Sequence, residues 1–408
     1  MTEFDVIIIG GGAAGMTAAV FSARNGAKTL IIEPNRFLGR KLGITGKGRC
    51  NVTNNCDERT VMKNLPKNSS FMFSALSRFS PSDTMAFFEE LGVPLKTERG
   101  NRVFPVSDKA QDIVNALVNE IKRLKVCVVR ERAVEVLVND GVATGVKTDK
   151  SAYKAPRVIL ATGGKSYSAT GSTGDGYAIA KRLGHTITPL CGSLVPLETE
   201  EDVAQASGLT LKNIKMSLFD NEKNKAIFSE QGEMTFQAYG IGGPLTLSAS
   251  SFIDKVTSGR YTAFIDFKPA LDEKKLDARL LRDFSGNGRL PVRELMRKLL
   301  PEKIIEIFLL SSGLDGGKNV AELTKYERKQ LVASLKSMPL RIKALRPIDE
   351  AIITDGGIDV SGINPKTMES KLISGLYFAG EIIDVTGFTG GFNLQVAFSP
   401  AYAAASDF

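Results

Sequence analysis

Residues 6–33 read VIIIGGGAAGMTAAVFSARNGAKTLIIE, and this stretch decides the fold. Val6–Ile9 is a short apolar run that ends in Gly10-Gly11-Gly12. Helical periodicity follows from Ala13 to about Asn25 and is closed by Gly26. A second apolar run, Thr29–Ile32, ends on Glu33. The order is strand, glycine turn, helix, strand, acid. Gly10, Gly12 and Gly15 keep the G-x-G-x-x-G spacing, which predicts a tight turn, close approach of a pyrophosphate and close seating of the helix. Ala13 and Ala14 then open the helix and present free N–H groups to the phosphates. Glu33 stands eighteen residues past Gly15, where a carboxylate can accept hydrogen bonds from ribose hydroxyls.

Composition bounds the rest. At 408 residues the chain predicts two or three domains. Its 43% hydrophobic and 24% charged content is that of a globular protein. The net charge of +8 would attract anions, but no run of five or six basic residues localises a nucleic-acid face, so nucleic acid is not an expected partner. Cys50, Cys56, Cys127 and Cys191 form no C-x-x-C pair, and His185 is the one histidine. No metal is expected, and Ser-His-Asp chemistry is disfavoured. No apolar run approaches the ~20 residues of a membrane span. A strand beginning by about Phe4, with few cysteines, predicts a cytoplasmic protein.

Further along, Arg36–Asn54 forms a glycine-rich loop with Arg40, Lys41, Lys47 and Arg49 interleaved, suited to an anion or a flat ring. Helices are predicted over 82–91 and 108–124, a strand over 125–130, and a meander over 133–148. Val158–Ala161 ends in Thr162-Gly163-Gly164, with Thr173 or Asp175 as the cap of a helix to about Leu183. His185 then reads as a packed residue at a helix end. From Cys191 short strands dominate, including 226–228, 234–236 and 261–267, and from Asp272 to about Ala344 the pattern is helical. The opening texture returns with Gly375–Glu381 and Gly390-Gly391-Phe392-Asn393-Leu394-Gln395. The expected domains are 1–190 and 346–408, two parts of one nucleotide domain, with a β-rich insert over 191–271 and a helical subdomain over 272–345.

These motifs, with Gly46–Asn54, Ala161–Tyr167, Gly171–Gly176 and Ile363–Lys371, resemble the bacterial flavoproteins of the BaiN, RdsA and YhiN type, aminoacetone oxidases included. The resemblance covers nearly the whole chain. It implies an α/β fold: a Rossmann-like FAD-binding domain, of the glutathione reductase and fumarate reductase kind, interrupted by a β-barrel and a helical subdomain. It implies tight, non-covalent FAD held by Arg40, Lys41, Gly46, Gly48, Arg49, Cys50 and Asn51. The backbone of Val134 would meet the adenine, and Gly380 with Gly391–Gln395 the flavin end. Thr162, Gly163 and Glu381 complete the expected cofactor contacts. Relatives often carry Phe-Thr-His-x-Gly where this chain has Phe236-Gln237-Ala238-Tyr239-Gly240. They also lack Pro400, which predicts a kink in the last helix.

The expected chemistry is hydride transfer at flavin N5, with Tyr239 as proton donor and Lys47, Arg49 or Asn51 polarising the flavin or a bound carbonyl. No second G-x-G-x-x-G unit is present, so NAD(P)H is expected as a transient co-substrate in reducing a small enone-like molecule. Two alternatives stand beside this: an oxygen-using oxidase of a small amine, and a non-catalytic flavin-bound sensor or adaptor for RNA or protein. Cys50 reads as a packed residue rather than a redox thiol.

Overall fold

A computed structural model describes residues 2–253 and 256–406. The chain divides into two compact units: Met1–Ser193 with Ile348–Phe408, and Leu194–Pro347 between them. Each has its own apolar core.

The first unit is built on β1 (Val6–Ile9), α1 (Ala13–Arg24), β2 (Thr29–Ile32), α2 (Ala110–Arg123), β3 (Cys127–Val129), β4 (Ala133–Asn139), β5 (Arg157–Leu160), α3 (Asp175–Arg182), β6 (Leu376–Phe378) and α4 (Phe392–Ser406). Five strands form one parallel sheet in the order β6-β5-β1-β2-β3. The central strands β1 and β2 are buried along their whole length, as strands covered on both faces must be. Between β3 and β5, β4 pairs antiparallel with Val142–Thr148 in a separate four-stranded sheet. Gly10, Ala161 and Gly380 follow the carboxyl ends of the neighbouring strands β1, β5 and β6, so early, middle and late stretches of the chain meet at one carboxyl edge.

Helix α4 runs six residues past Pro400 without interruption. Its neighbour α1 holds it through Asn25 Nδ2, which donates to Ala405 O at 3.1 Å, and through the edge of Phe21 on Tyr402 at 4.8 Å. Packing keeps the helix whole where the missing N–H alone would break it. The predicted side-chain cap of α3 is also absent. Gly174 is the N-cap, Thr173 does not serve, and Asp175 in the first turn pairs instead with Arg132.

The second unit holds a closed six-stranded barrel: Leu197–Thr199, Gly240–Gly242, Lys225–Gln237, Thr210–Asp220, Tyr261–Asp266 and Met338–Leu345. Two differences from the sequence reading stand out. The stretches 226–228 and 234–236 belong to one strand, Lys225–Gln237. The barrel is closed by Met338–Leu345, inside the range read as helical. There Met338, Leu340 and Ile342 are buried while Pro339, Arg341 and Lys343 are exposed, a two-residue period that outweighs the helical texture before it. The helices Glu273–Phe284, Glu302–Ser312 and Lys325–Lys336 share the barrel's apolar core, so barrel and helices form one unit.

In the first unit, Glu120 on α2 accepts from Arg123 Nε at 2.7 Å and from Arg24 Nε at 3.0 Å, tying α2 to the end of α1. Arg123, then Arg24, hold its carboxyl down at about 2. An unfolded glutamate titrates near 4.3, so the pair contributes stability above that pH and loses it as pH falls through about 2. Glu120→Gln is expected to be less stable than the parent at pH 7. The gap should narrow as urea unfolding is repeated from pH 4.5 down to 2.

Candidate functional site

The glycine turn divides its labour in space. A Cβ on Gly15 would collide with the carbonyl oxygen of Gly10, and one on Gly10 (φ 105°) with that of Ala161. A Cβ on Gly12 would meet nothing within 4 Å. The outer glycines are therefore packing residues, and the middle one borders open space. Helix α1 starts there with no side-chain cap and no acid in its first turn. Its first internal bond is Met16 N to Gly12 O, so the N–H groups of Ala13, Ala14 and Gly15 have no partner within the helix. An uncapped 12-residue helix beside open space is suited to a phosphate.

Glu33 lies beside this turn and is nearly buried. Its Oε2 accepts from Gly11 N at 2.7 Å; its Oε1 accepts from Asn35 N at 2.9 Å and Asn35 Nδ2 at 2.6 Å. That leaves roughly one of about four lone-pair sites for a ribose hydroxyl. Arg40 is exposed and donates to Asn35 Oδ1 at 2.6 Å, so it braces the same turn.

Lys41 does something other than the sequence suggested. Its Nζ donates to Glu381 Oε2 at 2.7 Å and to Ser166 Oγ at 2.8 Å, and it also lies 3.0 Å from Glu381 Oε1. Its ammonium and the Glu381 carboxylate are spent on each other rather than turned to a ligand. Gly380 (φ 81°) fits below because a Cβ there would come within 2.7 Å of the Ala14 Cβ. At the end of β5, Gly163 takes φ 73°, and the buried Thr162 Oγ1 has no hydrogen-bond partner.

The loop after β2 contains a left-handed run: Gly46 (φ 58°), Lys47 (φ 58°) and Gly48 (φ 82°), with Cys50 (φ 58°) following. Lys47 has no glycine's freedom, so its conformation costs roughly 1 kcal/mol, the kind of strain that gathers at ligand sites. Its ammonium is exposed and has no ion-pair partner among the described residues. Asn51 Oδ1 is buried and unpartnered.

Arg49 corrects the sequence reading. Its Nε donates to Asp108 Oδ1 at 2.9 Å, its NH2 meets Glu98, and its guanidinium lies 4.1 Å from the Phe104 ring centre. Two carboxylates and an aromatic face occupy it, so neither a catalytic role nor an ionic hold on a cofactor is left to this side chain. Cys50 is fully buried, and burial pushes its thiol up to about 12. It is a protonated packing residue at neutral pH.

At the start of α4, Gly391 (φ 100°) lies against Thr53, whose carbonyl carbon and oxygen would collide with a Cβ. Phe392 is buried and Leu394 half-buried. Asn393 clamps its own loop: Oδ1 accepts from Gly387 N at 2.8 Å and Nδ2 donates to Gly387 O at 2.7 Å. Gln395 is a second correction. Its Oε1 accepts from Thr53 Oγ1 at 2.6 Å and Thr84 Oγ1 at 2.9 Å, while its Nε2 donates to Phe79 O at 3.0 Å and Ser399 Oγ at 2.9 Å. All four positions of a buried amide are filled, so it holds the core and has nothing left for a ligand.

Elsewhere, Val134 is a bulge. A register shift between Ala133 and Glu135 takes it out of the ladder, and its carbonyl accepts from Arg182. His185 is buried, with Nε2 2.8 Å from Ser370 Oγ and its ring on the edge of Phe378. Burial lowers its pKa, so it is neutral at pH 7. Tyr239 belongs to the other unit, where Arg346 lies 4.3 Å over its ring. The sequence reading singled out neither Thr354, whose N–H donates to Glu381 Oε1 at 2.8 Å, nor Lys67, which lies 2.8 Å from Asp384. The acids Glu381 and Asp384 were a signal, three apart after a strand; the lysine carried none.

The HI0933-like protein Rossmann domain model matches residues 4–407. The chain belongs to this family. Among curated relatives it is 31% identical over 402 residues to a 3-dehydro-bile acid delta(4,6)-reductase of Clostridium scindens, covering 97% of each chain. It is 30% identical over 406 residues to a ribosomal RNA dihydrouridine synthase of Haemophilus influenzae, covering 98% of this chain and 97% of that one. A solved 3-ketosteroid delta1-dehydrogenase from Sterolibacterium denitrificans superposes with a TM-score of 0.53 at 13% identity, over 99% of both chains, and shows the fold. The family's Rossmann-like FAD-binding fold, interrupted by a barrel, is therefore the fold of this chain.

Two outcomes follow from the packing. Gly15→Ala should be destabilised by about 1–3 kcal/mol in urea unfolding, because helix and turn must part to admit the methyl. Cys50 should resist an aromatic disulfide reagent at pH 7 until the protein is unfolded, while the exposed Cys127 reacts at once.

Proposed function

We propose that the chain is an FAD-dependent oxidoreductase that reduces a carbon–carbon double bond conjugated to a carbonyl, with a reduced nicotinamide as hydride source. The observation that carries this reading is near-full-length similarity to proteins named for two reactions of one kind. A delta(4,6)-reductase saturates a carbon–carbon bond of a 3-oxo steroid. A dihydrouridine synthase saturates C5=C6 of uracil, which is conjugated to the C4 carbonyl.

The residues fit FAD. The uncapped start of α1 beside Gly12 would receive the pyrophosphate, and the remaining lone pair of Glu33 a ribose hydroxyl. The bulged backbone at Val134 is suited to the adenine edge. Thr162 Oγ1 and Asn51 Oδ1, both buried without partners, are donor and acceptor groups that a polar ligand would satisfy. When bound, FAD supplies hydride transfer at N5. The protein's part is to bind, orient and exclude water. Lys47, exposed and without an ion-pair partner among the described residues, is the one to polarise a carbonyl. Tyr239 is the candidate proton donor on the chemistry of its phenol. The lack of a second G-x-G-x-x-G unit in the sequence supports a nicotinamide that visits and leaves.

A second reading takes uridine in RNA as the acceptor. The Haemophilus influenzae relative and the net charge of +8 favour it, and the bond reduced is of the same class. No helix among the described residues is long and apolar enough to cross a membrane.

The test is anaerobic stopped-flow at 450 nm on the purified holoenzyme. NADH or NADPH should bleach the flavin band, and a 3-oxo-4,6-diene steroid or a uridine-bearing ribosomal RNA fragment should restore it. Lys47→Met should slow that restoration at least about tenfold, as loss of one charge-assisted contact in the transition state predicts. Bleaching by an amine instead, with peroxide formed in air, would make the protein an oxidase and end the reductase reading.

A further inference from the structure

The loop from Gly380 to Gly391 joins the end of β6 to the start of α4, and both of its ends border the candidate cofactor site. It carries three glycines at positive φ: Gly380 (81°), Gly390 (128°) and Gly391 (100°). Such a loop is entropically costly to fix, and a ligand that had to order it would bind weakly. In the structure it is already fixed, and by charge.

Two acids on the loop each meet a lysine from the first sixth of the chain. Lys41 lies 2.7 Å from Glu381 Oε2, with each side chain 21% exposed. Lys67 lies 2.8 Å from Asp384 Oδ1, whose side chain is only 3% exposed. Neutral bonds follow the same seam: Asn68 Nδ2 donates to Asp384 O at 2.6 Å, Phe388 N to Asn64 O at 3.0 Å, and Asn54 Nδ2 to Gly390 O at 3.0 Å. Glu381 also receives Thr354 N and Ser166 Oγ through Oε1. The stretch from Lys41 to Asn68, which includes the left-handed run at Gly46–Gly48, is thus stitched to the loop along its length.

We propose that Lys41–Glu381 and Lys67–Asp384 are positioning pairs that hold the Gly380–Gly391 loop in its FAD-ready form before the cofactor arrives. This rests on the FAD reading above. Neither pair needs to touch the cofactor. Glu381 acts through Lys41, and Lys67 acts through Asp384, by fixing where the loop backbone lies. The pairs are half-sheltered, so they are less screened than surface pairs, and removing one partner leaves a charge behind without its counterion.

The experiment follows FAD release from diluted holoenzyme by the rise in flavin fluorescence, with thermal melting of the flavin-stripped proteins in parallel. Lys41→Met and Lys67→Met should weaken FAD binding about 10- to 100-fold, the range of a strong pairwise coupling. Lys41→Arg should recover most of the affinity. Lys41→Met combined with Glu381→Gln should bind FAD no worse than Lys41→Met alone, since no unpaired carboxylate remains. The stripped variants should melt below the parent by less than their loss of FAD affinity would require, because the pairs fix one loop and not the core. If Lys41→Met does not fold, Glu381→Gln, which keeps the side-chain shape, decides. Affinity within twofold of the parent, or an apo melting point that falls in step with affinity, would overturn the proposal. A parent protein that takes up no FAD would overturn the cofactor reading and the proposal together. A parent that holds FAD beside variants that hold it equally would overturn the pairs alone.

Discussion

Helix α1 can sit on the parallel sheet only because three positions around it have no Cβ. Gly15 lies on the carbonyl of Gly10, Gly10 lies on that of Ala161, and Gly380 lies on Ala14. These contacts bring the first turn, the end of β5 and the end of β6 to one edge, although they come from residues 10, 161 and 380. Once the backbone is that close, the uncapped N–H groups of α1 have a fixed direction. The strands β1, β5 and β6 then end in register, and everything placed on their carboxyl ends inherits that register. A side chain at any of the three positions would separate the helix from the sheet, and the cradle would open with it.

Charge is distributed against the expectation raised by the loop after β2. The four cations between Arg40 and Arg49 suggest ionic grip on an anion. In the fold, Arg40 braces Asn35, Lys41 is held by Glu381, and Arg49 lies between Glu98 and Asp108. Of the four, Arg40 and Lys47 are exposed, and Lys47 has no ion-pair partner among the described residues. A phosphate at Gly12, as proposed above, would therefore be met chiefly by backbone N–H groups and the end of a helix, whose positive character does not depend on side-chain protonation. The cations have been used to assemble the frame, which explains why so basic a loop can be well packed.

What could be read from the sequence follows the range of each interaction. The strand–turn–helix–strand–acid order of residues 6–33 was legible because each step is local and has its own periodicity. The capping box at Ser80 and Asp83, which starts the helix Pro81–Glu90, is equally local. The partners of Arg49 lie 49 and 59 residues away, and those of Lys41 lie 125 and 340 away. No periodicity announces such pairings. Gln395 looked like a ligand contact because it follows a glycine turn at a helix start; its four bonds go to Thr53, Thr84, Phe79 and Ser399, which only the tertiary fold assembles. Met338–Leu345 is the exception. Its alternation is present in the sequence but follows directly on the helix Lys325–Lys336, whose texture masks it.

The buried reactive groups complete the division of roles in the first unit. Cys50 has its thiol pushed to about 12, and His185 is kept neutral against Ser370 and Phe378. Burial also raises the Tyr177 hydroxyl well above its usual range, with the Glu381 and Asp384 charges adding to the effect. Each of these could exchange a proton in water, and each has been removed from that exchange by its surroundings. A nucleotide unit built this way contributes position and dipoles and leaves electron transfer to its cofactor. Proton delivery must then come from a group that still reaches solvent or substrate. Tyr239, the donor proposed above, belongs to the other unit, and the contacts that make the glycine cradle, Gly10 on Ala161, Gly15 on Gly10 and Gly380 on Ala14, do not involve it, so a change of proton donor there would alter that one step and leave the cradle in place.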